Sequence, residues 1–255
     1  MQDVCLVIPC YNEEHRLPRE ELLAFLDARP DAALCLVDDG SVDGTLSLLQ
    51  GLRGERPDQI VVHAVSPNGG KAAAVRAGVR HAAAIGAWGI IGYWDADLST
   101  PLAEADRLLA VLRTEPRCRI VMGSRVKLLG SRIERRVARH ELGRIFAACA
   151  SGVLGFPVYD SQCGAKLFRR DAVEVFFGEP FLTRWLFDLE ILARLRNHVG
   201  ASARDGAHEV PLGAWKEVGG SKLRLREMIH VPLELLRIRR RYNLTPPRVP
   251  PATML

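Results

Sequence analysis

Five short apolar runs recur at roughly 30-residue intervals: VCLVIP from Val4, ALCLVD from Ala33, IVVHAV from Ile60, GIIGYW from Gly89 and RIVMGS from Arg119. Between them, PREELLAFLDA, DGTLSLLQGL, GKAAAVRAGVRHAAA and PLAEADRLLAVLR carry apolar residues at helical spacing. Strands alternating with helices call for right-handed crossovers, so the pattern predicts an α/β fold with a mostly parallel sheet and flanking helices. Past residue 124 the pattern changes. A basic helical stretch is expected at 131–150, a short strand near GAKLF, an apolar helix in WLFDLEILARLRNHV, a strand in HEVPLG and a kinked basic helix at 224–241 with Pro232 inside it. The chain thus divides into an α/β half at 1–124, a second half at 125–242 and an irregular Pro-rich tail at 243–255.

In open α/β sheets a ligand sits beyond the carboxyl ends of the strands. Three polar clusters fall there: Pro9-Cys10-Tyr11-Asn12-Glu13, Asp38-Asp39-Gly40-Ser41 and Asp95-Ala96-Asp97. The first strand is not followed by G-x-G-x-x-G, which disfavours a nicotinamide dehydrogenase.

Composition and charge narrow the picture. With 48% hydrophobic and 25% charged residues over 255 positions, the chain buries a substantial core and is not disordered. Six scattered cysteines without a C-x-x-C pair read as reduced, mostly buried thiols of an intracellular protein. The first residues run straight into a strand pattern, so no signal peptide is expected. The most membrane-like stretch, 145–159, is interrupted by Gly and Pro and falls short of the ~20 residues needed to span a bilayer. Seven Lys/Arg against two Glu fill 125–144, and nine against three acidic residues fill 216–248, although the net charge of the whole chain is only +5. Two basic segments on an otherwise acidic body point to one anionic surface or ligand.

The carboxylates Asp95 and Asp97, two apart on an extended segment, are suited to share a hard cation such as Mg²⁺ or Mn²⁺ with substrate phosphate oxygens. The same residues also suit turn and cap interactions before Pro101, and a lone D-x-D does not decide between the two. Asp38-Asp39-Gly40-Ser41 ends the second strand, where an acidic residue can accept hydrogen bonds from a ribose or base, while Ser41 or Asp43 is placed to cap a helix over 43–53. Asn68-Gly69-Gly70-Lys71 looks like a phosphate-binding helix start, but Ala72 stands where a P-loop has Ser or Thr, and a plain turn fits better.

In combination VIPCYNEE, VDDGSVDGT, NGGKAAAVRAG, DADLSTP, GSR, DSQCGAKLF, WLFDLE and GGSKL resemble, in order and spacing, the GT-A glycosyltransferases of family 2. Within that family the pattern is most similar to the polyprenyl- and dolichyl-phosphate sugar synthases, in particular the dolichyl-phosphate β-glucosyltransferase branch, from Val4 to about Tyr242. The resemblance implies a Rossmann-like GT-A sheet with acceptor-side helices toward the C-terminus. It places Pro9, Tyr11, Glu13 and Asp39 on the nucleoside, and Asp95, Asp97 and Ser99 at a Mg²⁺ or Mn²⁺ ion with the diphosphate. Arg125 and Lys222, assisted by Lys216, match cations that clamp phosphates, and Asp160 matches a carboxylate near metal and acceptor. A phosphate monoester acceptor has a second pKa of about 6, so little proton removal is needed and Asp160 is expected to orient rather than act as base. Of Asp188 and Glu190, which point in different directions on one apolar helix and are costly to bury together, Asp188 is the site candidate.

The activity implied is inverting transfer of a hexose from a nucleotide diphosphate sugar to a polyprenyl phosphate, with UDP-glucose favoured as donor and GDP-mannose as the alternative. A soluble transferase acting on a glycan or small molecule is the rival enzyme reading. Intact Asp95, Asp97, Arg125 and Lys222 argue against a non-catalytic nucleotide-sugar-binding module, and nucleic acid is not among the expected partners. The sequence departs from the branch in showing no spanning helix at either end, so the chain is expected to be peripheral on the cytoplasmic face of a membrane. Segment 223–241, LRLREMIHVPLELLRIRRR, sets apolar residues at helical spacing beside an Arg-rich face, as in helices that lie on anionic membranes.

Overall fold

The computed structural model describes residues 3–134, 137–218 and 230–244. The five predicted strands form as β1 (Val4–Cys10), β2 (Ala32–Asp39), β3 (Ile60–Val65), β4 (Ile90–Trp94) and β5 (Ile120–Ser124). The four predicted helices form as α1 (Arg19–Ala28), α2 (Thr45–Glu55), α3 (Lys71–Ile85) and α4 (Ala105–Thr114). The chain continues through β6 (Arg132–Glu134), α5 (Val137–Leu154), β7 (Ala165–Arg169), α6 (Val173–Phe177), α7 (Phe187–Val199), α8 (Ala203–Gly206), β8 (Ala207–Pro211), β9 (Ala214–Lys216) and α9 (Val231–Arg241).

Seven strands make one sheet in the order β3-β2-β1-β4-β7-β5-β8. All run parallel except β7, which pairs antiparallel with both β4 and β5. Every residue of β2 and all but Pro9 of β1 are buried, as expected of central strands covered on both faces. IVVHAV reads much like its neighbours, yet β3 is an edge strand and mostly half-exposed. Alternate side chains divide two core layers. Cys5, Val7, Cys35 and Tyr93 face α3, α6 and α7 together with Phe168, Phe176 and Phe187. Leu6, Ile8, Leu36 and Trp94 face α1, α2 and α4. A second, two-stranded parallel sheet pairs β6 with β9 at the rim of the carboxyl edge.

Two expected helices differ in extent. Residues 132–134 are a strand rather than helix, because Arg132, Ile133 and Glu134 pair in register with Ala214, Trp215 and Lys216. Pro232 does not kink a long helix. It sits in the first turn of α9, where its missing N–H leaves no bond unmade, and 219–229 lie outside the described residues. Most of the Pro-rich tail, 245–255, also lies outside them. Five of the six cysteines are buried, Cys149 is exposed, and all six are free thiols. No helix of the described residues is long and apolar enough to cross a membrane.

Candidate functional site

The carboxyl ends of β1, β2 and β4 open on one edge of the sheet, and the loops after β1 and β2 are laced together. Asn12, in the left-handed region at φ 52°, donates its N–H to Ser41 Oγ at 3.1 Å, and its own Oδ1 accepts from Val42 N at 3.0 Å. Glu13 N donates to Thr45 Oγ1 at 2.8 Å, and Gly44 N to Glu14 Oε2 at 2.9 Å. Ser41 therefore serves this lacing instead of capping α2, whereas Asp43 Oδ1 does accept from Thr45 N at the helix start. Pro9, Tyr11 and Glu13 line this rim half-buried. Asp39 is buried, and its oxygens accept from Gly69 N at 2.9 Å and from Gly70 N at 2.8 Å, with Asn68 Nδ2 as a further donor at 2.9 Å. Asp39 thus shapes the turn that opens α3, and Gly70 takes φ 82°, a conformation that glycine adopts without strain.

That turn aims Lys71 into the site, beyond what the lone turn reading of NGGK predicts. Because Tyr93 and Asp95 share one face of the extended segment, Asp95 follows Tyr93 toward α3, and Lys71 Nζ lies 2.5 Å from Asp95 Oδ1. Burial disfavours the Lys71 cation, but Asp95, Asp188 and Asp97 outweigh it and hold its pKa above the usual lysine value. Gly164 packs against the Asp95 carboxylate so closely that any side chain there would collide with it, while its carbonyl accepts from Asp95 N at 3.0 Å. Asp97 is exposed and accepts from Ser99 N at 2.9 Å, so the expected turn geometry holds as well. The Ser99 carbonyl accepts from Lys216 N at 2.9 Å, which sets the exposed Lys216 side chain beside the D-x-D loop.

Beneath this rim lies a buried polar cluster. Lys166 on β7 is 0% exposed, and its Nζ lies 2.7 Å from Asp188 Oδ1 and donates to the Cys163 carbonyl at 2.5 Å. The Tyr93 hydroxyl also donates to Asp188, and burial together with that carboxylate pushes the phenol pKa well above its ordinary value. Asp188, expected among the catalytic residues, is thus enclosed by Lys166 and Tyr93. Asp188 and Glu190 are both buried, and the expected penalty is offset because each meets donors, Asp188 from Lys166 and Tyr93. Glu190 accepts from Leu182 N and Thr183 N, both at 2.9 Å, from Thr183 Oγ1 at 2.8 Å and from the Tyr242 hydroxyl at 3.2 Å.

Arg125, just past β5, and Asp160 are brought together. Asp160 Oδ2 accepts from Arg125 N at 2.9 Å and Nε at 2.7 Å, and Oδ1 accepts from Nη2 at 2.7 Å, a bidentate pair. The guanidinium lies 5.4 Å from the centre of the Trp215 ring. Burial opposes the Arg125 charge, but the Asp160 carboxylate outweighs it and raises the pKa above the normal arginine range. Glu209 on β8 accepts from Tyr159 N at 2.7 Å and Asp160 N at 2.6 Å. Sequence reasoning missed Lys166 and Glu209, whose partners are supplied by other strands and loops. Lys222 lies outside the described residues.

The donor set fits a hard divalent cation. Asp97 presents an exposed carboxylate, and Asp95 already attracts a cation in Lys71. No group of three or more His, Cys, Asp or Glu among the described residues is arranged to hold a metal. Two carboxylates leave most of a six-coordinate shell to diphosphate oxygens and water, which is how Mg²⁺-type sites are commonly completed.

Residues 5–177 match the Glycosyl transferase family 2 profile. The chain is 32% identical over 246 residues to dolichyl-phosphate beta-glucosyltransferase ALG5C of Trichomonas vaginalis, covering 91% of this chain and 69% of that protein. It is 30% identical over 261 residues to the human dolichyl-phosphate beta-glucosyltransferase, covering 94% and 76%. Among solved structures, glucosyl-3-phosphoglycerate synthase from Mycobacterium tuberculosis, in complex with phosphoglyceric acid, superposes with a TM-score of 0.65 at 21% identity over 93% of this chain and 80% of the synthase. The synthase complex with Mn²⁺, UDP-glucose and phosphoglyceric acid also reaches 0.65, at 18% identity over 96% and 81%. The D-x-D loop beyond β4, the laced loops after β1 and β2 and the profile match agree, and the chain belongs to glycosyl transferase family 2, with the α/β fold of the GT-A glycosyltransferases.

Proposed function

We propose that this enzyme transfers glucose from UDP-glucose to a polyprenyl phosphate with inversion at the anomeric carbon. The observation that carries the reading is that relatives 30–32% identical over 91–94% of this chain are dolichyl-phosphate beta-glucosyltransferases. The 1–124 half supplies the donor side, with Pro9, Tyr11, Glu13 and Asp39 around the nucleoside, and 125–242 supplies the acceptor side.

Asp95 and Asp97, with Ser99 nearby, would hold Mg²⁺ or Mn²⁺, which when bound supplies positive charge to the departing diphosphate. Lys71, Arg125 and Lys216 add fixed cations around the same phosphates, and Lys222, outside the described residues, is assigned to them by sequence alone. An acceptor phosphate oxygen forms the new bond to the anomeric carbon as the bond to the diphosphate oxygen breaks on the opposite face. The acceptor is mostly dianionic at neutral pH, so Asp160 is not needed as a base. Its carboxylate is instead occupied in orienting Arg125.

The same reading places the enzyme peripherally on the cytoplasmic face of a membrane. On α9, Leu235 and Ile238 are buried, while Leu233 and Leu236 stand exposed beside exposed Arg237, Arg239, Arg240 and Arg241. Leu142 and Ile145 of α5, the helix that α9 packs against, are exposed as well. Such a face is suited to rest on anionic lipid.

The deciding experiment offers radiolabelled UDP-glucose or GDP-mannose, with Mn²⁺ or Mg²⁺, to the enzyme with polyprenyl phosphate or 3-phosphoglycerate. Label from UDP-glucose should pass into the organic phase only with the lipid. Label from GDP-mannose there would make the enzyme a mannosyltransferase, and label retained in water on phosphoglycerate would replace the lipid acceptor.

A further inference from the structure

Asp160 and Arg125 belong to different parts of the chain, and their pairing requires two backbone segments to be held in register. Arg125 is fixed by β5, which it directly follows. Asp160 lies in the long connection between α5 and β7, where little regular structure supports it. Val158 is tied to Ser151 Oγ at 3.0 Å, and Gly164 to Asp95. Between those two ties, Glu209 takes the N–H groups of Tyr159 and Asp160 on its two carboxylate oxygens at 2.7 and 2.6 Å. Glu209 stands on β8, which pairs in parallel register with β5, Met122 opposite Glu209 and Ser124 opposite Pro211. The strand carrying Arg125 and the strand carrying Glu209 are therefore neighbours, and Glu209 ties the Asp160 loop to that rigid pair. A carboxylate spent on two consecutive backbone N–H groups is a costly way to close a loop, since burial works against its charge and raises its pKa.

We propose that Glu209 is a positioning residue for the transfer reaction: by fixing the backbone at Tyr159 and Asp160, it sets the Asp160 carboxylate to hold the Arg125 guanidinium in one orientation toward the substrate phosphates. The inference rests on the phosphate-binding role proposed for Arg125. Glu209 does not touch the phosphates itself; it acts through two bonds to the loop and three from Arg125 to Asp160.

The test is a double-mutant cycle of Glu209→Gln and Arg125→Met with two readouts. These are kcat/KM for transfer from UDP-glucose to a short polyprenyl phosphate, and the Kd for UDP with Mn²⁺ by calorimetry. Glutamine keeps the shape but presents an NH₂ to one of the two N–H donors, so one bond is lost and the loop shifts. Small misplacements of this kind reduce rates by up to about 10²-fold. The expected result is a loss of about 10- to 100-fold in kcat/KM for Glu209→Gln, and a double variant no worse than Arg125→Met alone. Glu209→Asp, which keeps the charge, should recover part of the loss, and it replaces Glu209→Gln in the cycle if that variant fails to unfold cooperatively. A purely structural Glu209 would lower the melting temperature while its effect multiplied with that of Arg125→Met. Multiplying effects in both readouts, or wild-type values for Glu209→Gln, overturn the inference. Wild-type enzyme that binds UDP but glucosylates no lipid overturns the proposed acceptor, and the Kd cycle then still decides the role of Glu209.

Discussion

Replacing Lys166 with methionine tests the buried cluster on which the site rests. The side chains are close in volume, so the change removes a charge without opening a large cavity. Lys166 is 0% and Asp188 4% exposed, and Nζ lies 2.7 Å from Oδ1. At an effective dielectric of about 20, two unit charges at that separation attract by roughly 6 kcal/mol, much of it offset by the desolvation of both groups. Methionine leaves Asp188 charged and buried with the Tyr93 hydroxyl as its close donor, and stripping one partner from such a pair destabilises by about 3–5 kcal/mol. For a chain of this size each kcal/mol is worth about 2–4 °C, so melting should fall by roughly 6–20 °C. Lys166→Met/Asp188→Leu should recover most of that loss, because replacing a whole buried pair with apolar residues is often neutral. Urea unfolding at pH 7, followed through the emission of buried Trp94, measures each corner of the cycle. A Lys166→Met variant within about 1 kcal/mol of wild type, or a double variant as unstable as the sum of the singles, would refute a charged pair in the core.

Three further outcomes are expected. Asp97→Ala should reduce transfer by about 10³-fold or more and weaken Mn²⁺-dependent UDP binding, and full activity of this variant, or of wild type in EDTA, would remove the metal from the reaction. Changing Arg237, Arg239, Arg240 and Arg241 to Gln should release the protein from anionic liposomes in flotation assays, at about 1 kcal/mol per charge, and raise the KM for lipid acceptor without altering UDP binding. Salt-insensitive flotation that survives the four changes would instead mark α9 as a packing helix alone. His63, stacked on His81 with ring centres 4.2 Å apart, has its pKa lowered by burial and by the second histidine. Between the unfolded pKa of about 6.5 and the lower folded value the unfolded chain binds more protons, so this contribution is complete above about pH 6.5 and is lost as pH falls from there through the folded pKa. The urea midpoint should drop less between pH 8 and pH 5 in His63→Gln than in wild type, and an identical drop would dismiss the pair.

The elements that could be read from the chain are those whose causes are local. β1 to β5 and α1 to α4 follow from runs of apolar residues and their spacing, because a strand buried on both faces must be apolar throughout and a helix packed on a sheet must carry one apolar stripe. The clusters at the carboxyl ends of β1, β2 and β4 were legible for the same reason, since parallel strands point their C-terminal ends to one edge. The 132–134 segment was misread as helix because its pairing partner, β9, lies far along the chain.

What only the tertiary structure decided is how those groups are paired. Lys71 reads as part of a turn until α3 is laid on the sheet and its ammonium meets Asp95. Lys166 in GAKLF and Asp188 in WLFDLE look like two unrelated charges, and Asp188 and Glu190 look too costly to bury together, until β7 inserts antiparallel between β4 and β5 and α7 packs over Tyr93. From sequence Asp160 is expected to orient rather than to act as a base, but what it would orient is not written locally; its three hydrogen bonds from Arg125, and the grip of Glu209 from 49 residues away, exist only in the folded chain. Periodicity records which face of an element is apolar and therefore determines that the element packs. The partner of a buried charge is chosen by whichever distant segment the packing brings within about 3 Å, and no local pattern carries that distance.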